Sequence, residues 1–332
     1  MARLRRVSAR QPGFARVKRG TGFSYVDADG DVLPKDEVER IKSLAIPPAW
    51  TDVWVCPYPN GHLQAVGTDD AGRRQYLYHP DWRKRRDRSK FERVTQAAEM
   101  LPTARRRITK DLRLDGMPLE RAAATAVRLL DVGYFRIGND AYTDAHGSFG
   151  LTTLERQHVR SRRGELVFSF VGKSGISHTI AVDDKDAIAS LDVMRKRRAD
   201  GDRLLAYRDG STWRDLSSAD VNAYLSDLFG GNLTAKDFRT WHATVIAAEV
   251  LATTDEPGDS GASRKRAIKQ ATTEVAAYLG NTPTIARNSY IDPRILDAYE
   301  SGSTIGEAAT KRYSSAQARQ TGLEAGVLSL LG

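Results

Sequence analysis

Four residues in this 332-residue chain carry side chains that could break and reseal a phosphodiester. They are Arg136 in YFRIGNDAYTDAHGSFGLTTL, Lys173 in FVGKSG, Arg239 in KDFRTWHAT and Tyr290 in LGNTPTIARNSYIDP. A tyrosine phenol attacks phosphorus reversibly, because the phosphotyrosine that forms keeps the bond energy and can be attacked in return. Arginine holds the nonbridging oxygens bidentately and stays charged. A lysine at a hairpin tip can protonate the leaving oxygen.

Each of these residues alone also has a purely structural explanation. Arg136 follows a helical pattern and could cap that helix at the surface. Lys173 lies in a Lys-Ser-Gly turn of the kind that faces solvent. Arg239 could begin a helix and stack on Trp241, and Tyr290 could be a core tyrosine with a hydrogen-bonded hydroxyl. Their combination and order in one chain favour the chemical interpretation.

The charge balance favours a polyanionic partner. The sequence has 51 Lys+Arg against 42 Asp+Glu, a net charge of +9, and neutralising phosphates releases counterions. Cys56 is the only cysteine, so neither an intramolecular disulfide nor a cysteine metal cluster is predicted. The opening MARLRRVSARQPGF lacks the apolar core of a signal peptide, and no run approaches the roughly 18 apolar residues of a membrane helix. We expect a cytoplasmic, nucleoid-associated protein with no membrane partner.

Two domains are predicted to position the four side chains. Residues 1–15 are expected to form a basic, weakly ordered arm, and residues 16–88 a β-rich DNA-binding domain of antiparallel strands. Its hairpins are predicted to turn at Asp29-Gly30, at Asn60-Gly61 and near Ala71-Gly72. A short helix in PKDEVERIKSLAIPPAW is stopped by the prolines at its end.

Residues 89–332 are predicted to form a larger, mainly α-helical catalytic domain. The charge run RKRRDR at 83–88 indicates the junction, and beyond it the hydrophobic period becomes helical. Residues 151–182 predict a small antiparallel sheet, with Lys173 at one of its turns, and the tail after 301 is small and polar. The predicted fold class is therefore α+β.

The four motifs resemble those of the type IB DNA topoisomerases of the small poxvirus and bacterial kind, and the resemblance covers nearly the whole chain. It implies a β-rich amino-terminal domain and a helical catalytic domain that form a clamp around double-stranded DNA. The implied activity is relaxation of supercoiled DNA by a monomer. One strand is cleaved through a 3′-phosphotyrosyl intermediate, the duplex swivels and the strand is religated, without ATP or metal.

The resemblance also implies roles for individual residues. Tyr290 would be the nucleophile, Arg136 and Arg239 would stabilise the pentacoordinate transition state, and Lys173 would protonate the 5′-oxygen. A fifth family position, nine residues before the tyrosine, is often histidine and here is Asn281. Because asparagine cannot carry charge, we expect Asn281 to donate a hydrogen bond to a phosphate oxygen and to take no acid–base role.

Five further residues are predicted to contact DNA. Tyr142 matches a family position beside the cleavage site. Tyr76 and Tyr78 alternate on one face of a predicted strand, as a strand in the major groove requires, with Arg74 and Gln75 just before them. The alternative is that both tyrosines are half-buried on a core face.

No cofactor and no metal are predicted, because no phosphate-binding glycine loop, HExxH motif or acidic cluster stands out. Two other functions stay open. A tyrosine recombinase or integrase shares the nucleophile and the arginine pair, but it needs synapsed protomers and usually has a helical amino-terminal domain. A catalytically inactive DNA-binding protein would bind tightly and form no covalent adduct.

Overall fold

The computed structural model describes residues 3–133, 135–138, 147–231, 233–254 and 260–332. It divides the chain into two compact units, Met1–Phe91 and Glu92–Gly332. The first is built on an antiparallel sheet, and the second is largely helical with small antiparallel sheets. This arrangement confirms the predicted α+β class.

Five antiparallel strands and a short helix form the first unit. The strands are β1 (Phe14–Arg19), β2 (Gly22–Val26), β3 (Thr51–Val55), β4 (Leu63–Thr68) and β5 (Arg74–Tyr78), in the order β2-β1-β3-β4-β5. Helix α1 (Lys35–Ser43) has an acidic first turn and a basic last turn, which suits its dipole. It ends before Pro47, as predicted. Its fully buried Ile41 packs in a core with Val55 and Ala65.

The three predicted hairpin turns of this unit are confirmed. β3 pairs with β4 across Asn60-Gly61, and β4 pairs with β5 across Ala71-Gly72. The third turn brings Val26 against Val32, and its Gly30 has a φ of 94°, a conformation that glycine adopts without strain. The pairing of β1 with β2 is not predicted from the sequence.

The predicted weakly ordered arm is wrong for residues 3–13, because hydrogen bonds hold this segment against the sheet. Arg5 forms a parallel bridge with Gly61, and its guanidinium lies 3.6 Å from the centre of the Tyr58 ring. The Trp54 indole nitrogen donates to the Gln11 carbonyl at 3.1 Å. These partners are far apart in sequence, so local composition does not predict them.

Within the described residues, the second unit contains helices and two small sheets. Its first helix, α2 (Pro80–Leu112), begins in the first unit and continues into the second. The helices that follow are α3 (Leu119–Gly133), α4 (Lys185–Arg195), α5 (Ser218–Phe229), α6 (Ala235–Thr253), α7 (Gly261–Leu279), α8 (Pro283–Ser289), α9 (Pro293–Glu300), α10 (Glu307–Thr310) and α11 (Ala316–Leu331). One sheet has the order β6 (Val159–Arg162), β7 (Glu165–Val171), β8 (Ser177–Val182), and the other is the hairpin of β9 (Ala206–Asp209) and β10 (Thr212–Asp215). The predicted strands at 151–182 are confirmed, whereas the second hairpin is not predicted.

Helix α2 begins earlier than the sequence predicts. The charge run at 83–88 lies inside it, so this run is helical and not an irregular junction. Arginine and lysine are good helix formers, and Pro80 stands at the helix start, where its missing N–H costs no hydrogen bond. Charge composition therefore does not mark the end of a secondary-structure element here.

A buried ionic network joins three helices of the second unit. Arg105 on α2 donates to both carboxylate oxygens of Asp131 on α3, each at 2.8 Å, and to Glu324 on α11 at 2.6 and 2.9 Å. Leu323 and Val327 of α11 are also buried in the core. The tail after 301 is thus built into the fold through its last helix, although its sequence is small and polar.

Candidate active site

The site is organised around the sharp turn between α7 and α8. Gly280 caps the carboxyl end of α7 with a φ of 59°, and Thr282 caps the start of α8 by accepting a hydrogen bond from the Ile285 N–H at 3.3 Å. This turn leaves the carbonyls of Leu279 and Gly280 without helical partners. The side chain of Asn281 lies next to them.

Arg136 is bound to this turn through one of its terminal nitrogens. Nη2 lies 3.2 Å from the Leu279 carbonyl, 3.0 Å from the Gly280 carbonyl and 2.8 Å from Asn281 Oδ1. The Arg136 backbone is fixed as well, because its carbonyl accepts a 2.7 Å hydrogen bond from the Leu151 N–H. Both the backbone and the side chain of Arg136 are therefore held in place by hydrogen bonds.

Arg239 reaches the same turn from α6. Its Nη2 donates to the Leu279 carbonyl, and its side chain is buried. Burial, with a contribution from the nearby Arg136 cation, lowers the pKa of Arg239 to about 10, although interaction with Tyr290 opposes this shift. At neutral pH the guanidinium is still charged. Two positive charges therefore lie close together in a desolvated region.

Tyr290 lies beside Arg239, with 5.8 Å between the guanidinium carbon and the centre of the phenol ring. The tyrosine is 8% exposed. Thr244, one and a half turns after Arg239 on α6, accepts from the Asp292 N–H at 3.1 Å, and its hydroxyl lies 3.4 Å from the Tyr290 carbonyl. One helix thus carries the arginine and also fixes the backbone around the tyrosine.

The structure brings together four of the five residues predicted for catalysis: Arg136, Arg239, Asn281 and Tyr290. The fifth, Lys173, lies on the exposed turn between β7 and β8, as predicted. The next residue, Ser174, has a φ of 65° and completes this tight turn with Gly175.

The cluster contains buried donors that have no hydrogen-bond acceptor among the described residues, and Nε of Arg136 and Nδ2 of Asn281 are such donors. The Asn281 amide is oriented by chemistry, since arginine only donates and the atom facing it must be the oxygen. A buried donor without a partner is costly, so these two groups fit an anionic ligand that accepts from both.

The structure describes four of the five residues predicted to contact DNA. Tyr142 lies outside the described residues. Tyr76 and Tyr78 are on one face of the edge strand β5, where their rings stack 6.2 Å apart, and Tyr76 is 48% exposed. Leu77 between them packs on the core, so the tyrosines occupy the face away from the core. Arg74 is exposed beside them, and Gln75 donates to Asp69 at 2.8 Å.

Sequence reasoning missed several residues that build the site. The carbonyls of Leu279 and Gly280 are backbone groups with no side-chain signature. Thr244 lies in the KDFRTWHAT motif, five residues after Arg239 on the same predicted helix, and this spacing could have placed its hydroxyl near the site. His242 is buried with Nε2 3.6 Å from Asp131, and burial lowers its pKa, which supports a structural role for that histidine.

Comparison with known proteins agrees with this fold. Residues 79–316 match the model of the eukaryotic DNA topoisomerase I catalytic core, and residues 22–69 match that of the bacterial DNA topoisomerase IB amino-terminal domain. A DNA topoisomerase 1B of Acanthamoeba polyphaga mimivirus is 30% identical over 297 residues, covering 87% of this chain and 88% of the relative. A DNA topoisomerase 1B of vaccinia virus (strain Western Reserve) is 24% identical over 288 residues, covering 83% of this chain and 86% of the relative.

A DNA topoisomerase 1 of Schizosaccharomyces pombe is 30% identical over 168 residues, which is 50% of this chain and 19% of that protein. The chain belongs to the type IB DNA topoisomerases, in the small kind that bacteria and poxviruses share. It is accordingly an enzyme that acts on DNA. No helix in the described ranges is both long and apolar enough to cross a membrane.

Proposed function

We propose that this enzyme relaxes supercoiled double-stranded DNA as a monomer, through a covalent link between Tyr290 and a DNA 3′-phosphate, without ATP or metal. The observation that carries the proposal is the convergence of Arg136, Arg239, Asn281 and Tyr290 at the Leu279–Asn281 turn. Such a cluster offers a nucleophile and preorganised charge to one phosphate.

In the cleavage step the Tyr290 oxygen attacks phosphorus and loses its proton to the medium. A bond forms between this oxygen and phosphorus, and the bond from phosphorus to the 5′-oxygen breaks. Lys173 gives its proton to the departing 5′-oxygen. Arg136, Arg239 and the Asn281 amide stabilise the charge on the nonbridging oxygens as the pentacoordinate state forms.

Religation reverses these bonds. The free 5′-hydroxyl attacks the phosphotyrosine, its proton returns to Lys173, and the Tyr290 phenolate leaves and regains a proton. Because the phosphotyrosine conserves the bond energy, the cycle needs no external energy source. Swivelling of the duplex between the two steps releases the supercoils, which supply the driving force.

The primary test is relaxation of negatively supercoiled plasmid with EDTA present and ATP absent, by wild type and by Tyr290→Phe. We expect relaxation by wild type alone and, after a denaturant quench, a protein–DNA adduct on the 3′ side of the break. The Phe variant keeps the ring packing and should still bind DNA. Relaxation by the pure Phe variant would remove Tyr290 from its role, and recombinant products instead of relaxed circles would favour a recombinase.

We further propose that the outer face of β5 contacts DNA through Tyr76 and Tyr78, with Arg74 and Gln75 beside them and Tyr142 near the cleaved bond. Support comes from the exposure of Tyr76 and the stacking of the two rings away from the core. Tyr76→Ala should weaken DNA binding by roughly 1 kcal/mol or more. The matched control is Tyr58→Ala, an exposed tyrosine of the same unit. Equal affinity losses in both variants would contradict the assignment.

A further inference from the structure

His178 has no role in the chemistry above, yet its ring packs against Gly172, next to Lys173, and against Gly280, next to Asn281. It lies on β8, in register with Phe170 on β7, and the two rings stack 5.2 Å apart. It also lines a cavity of about 430 Å³ together with Arg136 and Arg239. The side chain is half-buried, so it is part of the wall of the site.

One edge of the imidazole packs directly against Gly172, the residue before Lys173. A Cβ built on Gly172 would lie 2.7 Å from His178 Cδ2 and 2.8 Å from Nε2, closer than real side-chain contacts allow. Gly172 has a φ of −95°, which any residue can adopt. The absence of a side chain is therefore required by the imidazole and not by the backbone.

The same ring also packs against Gly280, the residue before Asn281. A Cβ on Gly280 would lie 2.9 Å from His178 Cε1 and 3.5 Å from Nε2. The Gly280 carbonyl accepts the 3.0 Å hydrogen bond from Arg136. The imidazole thus fills the space between the backbone that carries Lys173 and the backbone that holds Arg136 and Asn281.

We propose that His178 is a positioning residue. It sets the distance between the turn that carries Lys173 and the Leu279–Asn281 turn that binds Arg136. This inference rests on the proposed function, in which Lys173 protonates the oxygen that leaves the phosphate held by Arg136 and Asn281. A proton transfer requires the donor within hydrogen-bond reach of its acceptor. Removing the spacer lets the two turns approach or separate, and the general acid loses its alignment.

Burial and the cations of Arg136 and Arg239 lower the pKa of His178. The imidazole is therefore neutral at physiological pH and adds no third positive charge to the pair of arginines. A neutral ring of fixed shape is suited to act as a spacer in this position.

The test compares two versions of a duplex that wild type cleaves, one with the ordinary 5′-oxygen and one with a bridging 5′-sulfur at the cleaved phosphate. A sulfur leaving group departs without protonation, so its cleavage does not depend on where Lys173 lies. We expect His178→Ala to slow single-turnover adduct formation about 10- to 100-fold on the oxygen substrate and less than about threefold on the sulfur substrate. DNA affinity should be unchanged.

The matched control is His158→Ala, which removes another half-buried histidine beside a phenylalanine ring, here Phe149, whose centre lies 4.4 Å away at a tilted angle. It should show no difference between the two substrates beyond that of wild type. Gly172→Ala, which disturbs the same contact from the other side, should reproduce the selective defect. The double variant Gly172→Ala/His178→Ala should be no slower than the slower single variant, because the two changes act on one contact.

Equal slowing on both substrates, or multiplied effects in the double variant, would overturn the role of His178. If far-UV circular dichroism shows that His178→Ala is unfolded, Gly172→Ala alone provides the comparison, with the same deciding outcomes. Failure of the proposed function looks different. Wild type would then form no adduct on either substrate, whereas failure of this inference alone leaves the wild-type adduct and the inactivity of Tyr290→Phe intact.

Discussion

The isosteric change Asn281→Asp tests how the site handles charge. The new carboxylate keeps an oxygen facing Arg136, where Oδ1 now lies 2.8 Å from Nη2. It replaces the Nδ2 donor, which has no acceptor among the described residues, with a second oxygen. Arg136 should therefore stay bound to the turn, and the phosphate should lose a hydrogen-bond donor and face a negative charge instead.

The expected magnitude has two parts. Removing one preorganised donor to charge that develops in the transition state costs about 2.7–4 kcal/mol, or roughly 10²–10³ in rate. A carboxylate about 4 Å from a phosphate oxygen adds repulsion, on the order of 4 kcal/mol for unit charges at an effective dielectric constant near 20. We expect Asn281→Asp to cleave at least about 10³-fold more slowly than wild type.

The assay is single-turnover adduct formation at saturating enzyme, with DNA affinity measured separately. Asn281→Ala, which loses the donor and adds no charge, should lie between wild type and the Asp variant. Asn281→His should retain activity, because neutral histidine can both accept and donate. An Asp variant that is faster than the Ala variant, or within about tenfold of wild type, would refute a donor role for Asn281.

Three other perturbations have defined outcomes. Lys173→Ala should slow cleavage by roughly 10²-fold or more with little loss of DNA binding. A bridging 5′-sulfur should restore the cleavage rate of this variant, and a failure to restore it would argue against Lys173 as the general acid. Removing residues 1–82 should leave a fragment that is folded by far-UV circular dichroism, since Glu92–Gly332 is a compact unit. The DNA affinity of this fragment should be reduced roughly tenfold or more, and an unchanged affinity would contradict a DNA-binding role for the removed residues. Asp131→Asn should lower the free energy of unfolding at pH 7 by about 3–5 kcal/mol, as loss of one partner of a buried ion pair does. Burial alone would raise the pKa of Asp131, but its hydrogen bonds and charge interaction with Arg105 outweigh burial, and the pKa lies below 3.8. The stability from this ion pair is therefore present above pH 3.8 and is lost as pH falls through the folded-state pKa. A difference in urea midpoint between wild type and variant that does not shrink in acid would argue against this reasoning.

Local patterns predicted the parts of the fold that local physics decides. Turn residues at Asn60-Gly61 and Ala71-Gly72 correctly predicted the two hairpins, and Gly72 has a φ of 73°, which glycine adopts without strain. The order of the amino-terminal segment could not be predicted in this way, since Arg5 is held by Gly61, 56 residues away. Glu324 presents the same problem, because its partner Arg105 is 219 residues distant.

The candidate site was predictable where side-chain chemistry carries a signature. Arg136, Arg239 and Tyr290 were selected as a set because their chemistry is complementary, and the structure brings them together at one turn. The groups that hold the arginines were not predictable, because the Leu279 and Gly280 carbonyls are backbone atoms. They lie at the end of α7, where the last carbonyls have no helical partner and Gly280 is left-handed. A glycine in the sequence does not reveal which side chain its carbonyl will bind.

The choice of neutral acceptors explains how the half-buried Arg136 and the buried Arg239 remain available to a phosphate. In the part of the chain that the structure describes, Arg136 donates to two carbonyls and one amide oxygen. The end of α7 contributes about half a negative charge through its unpaired carbonyls, which offsets part of the cost of removing the two cations from water. A carboxylate in that place would hold the guanidinium groups more tightly, but it would also cancel the positive charge that the transition state needs. Burial and the neighbouring Arg136 cation lower the pKa of Arg239, and a bound phosphate would oppose that shift because it favours the charged guanidinium.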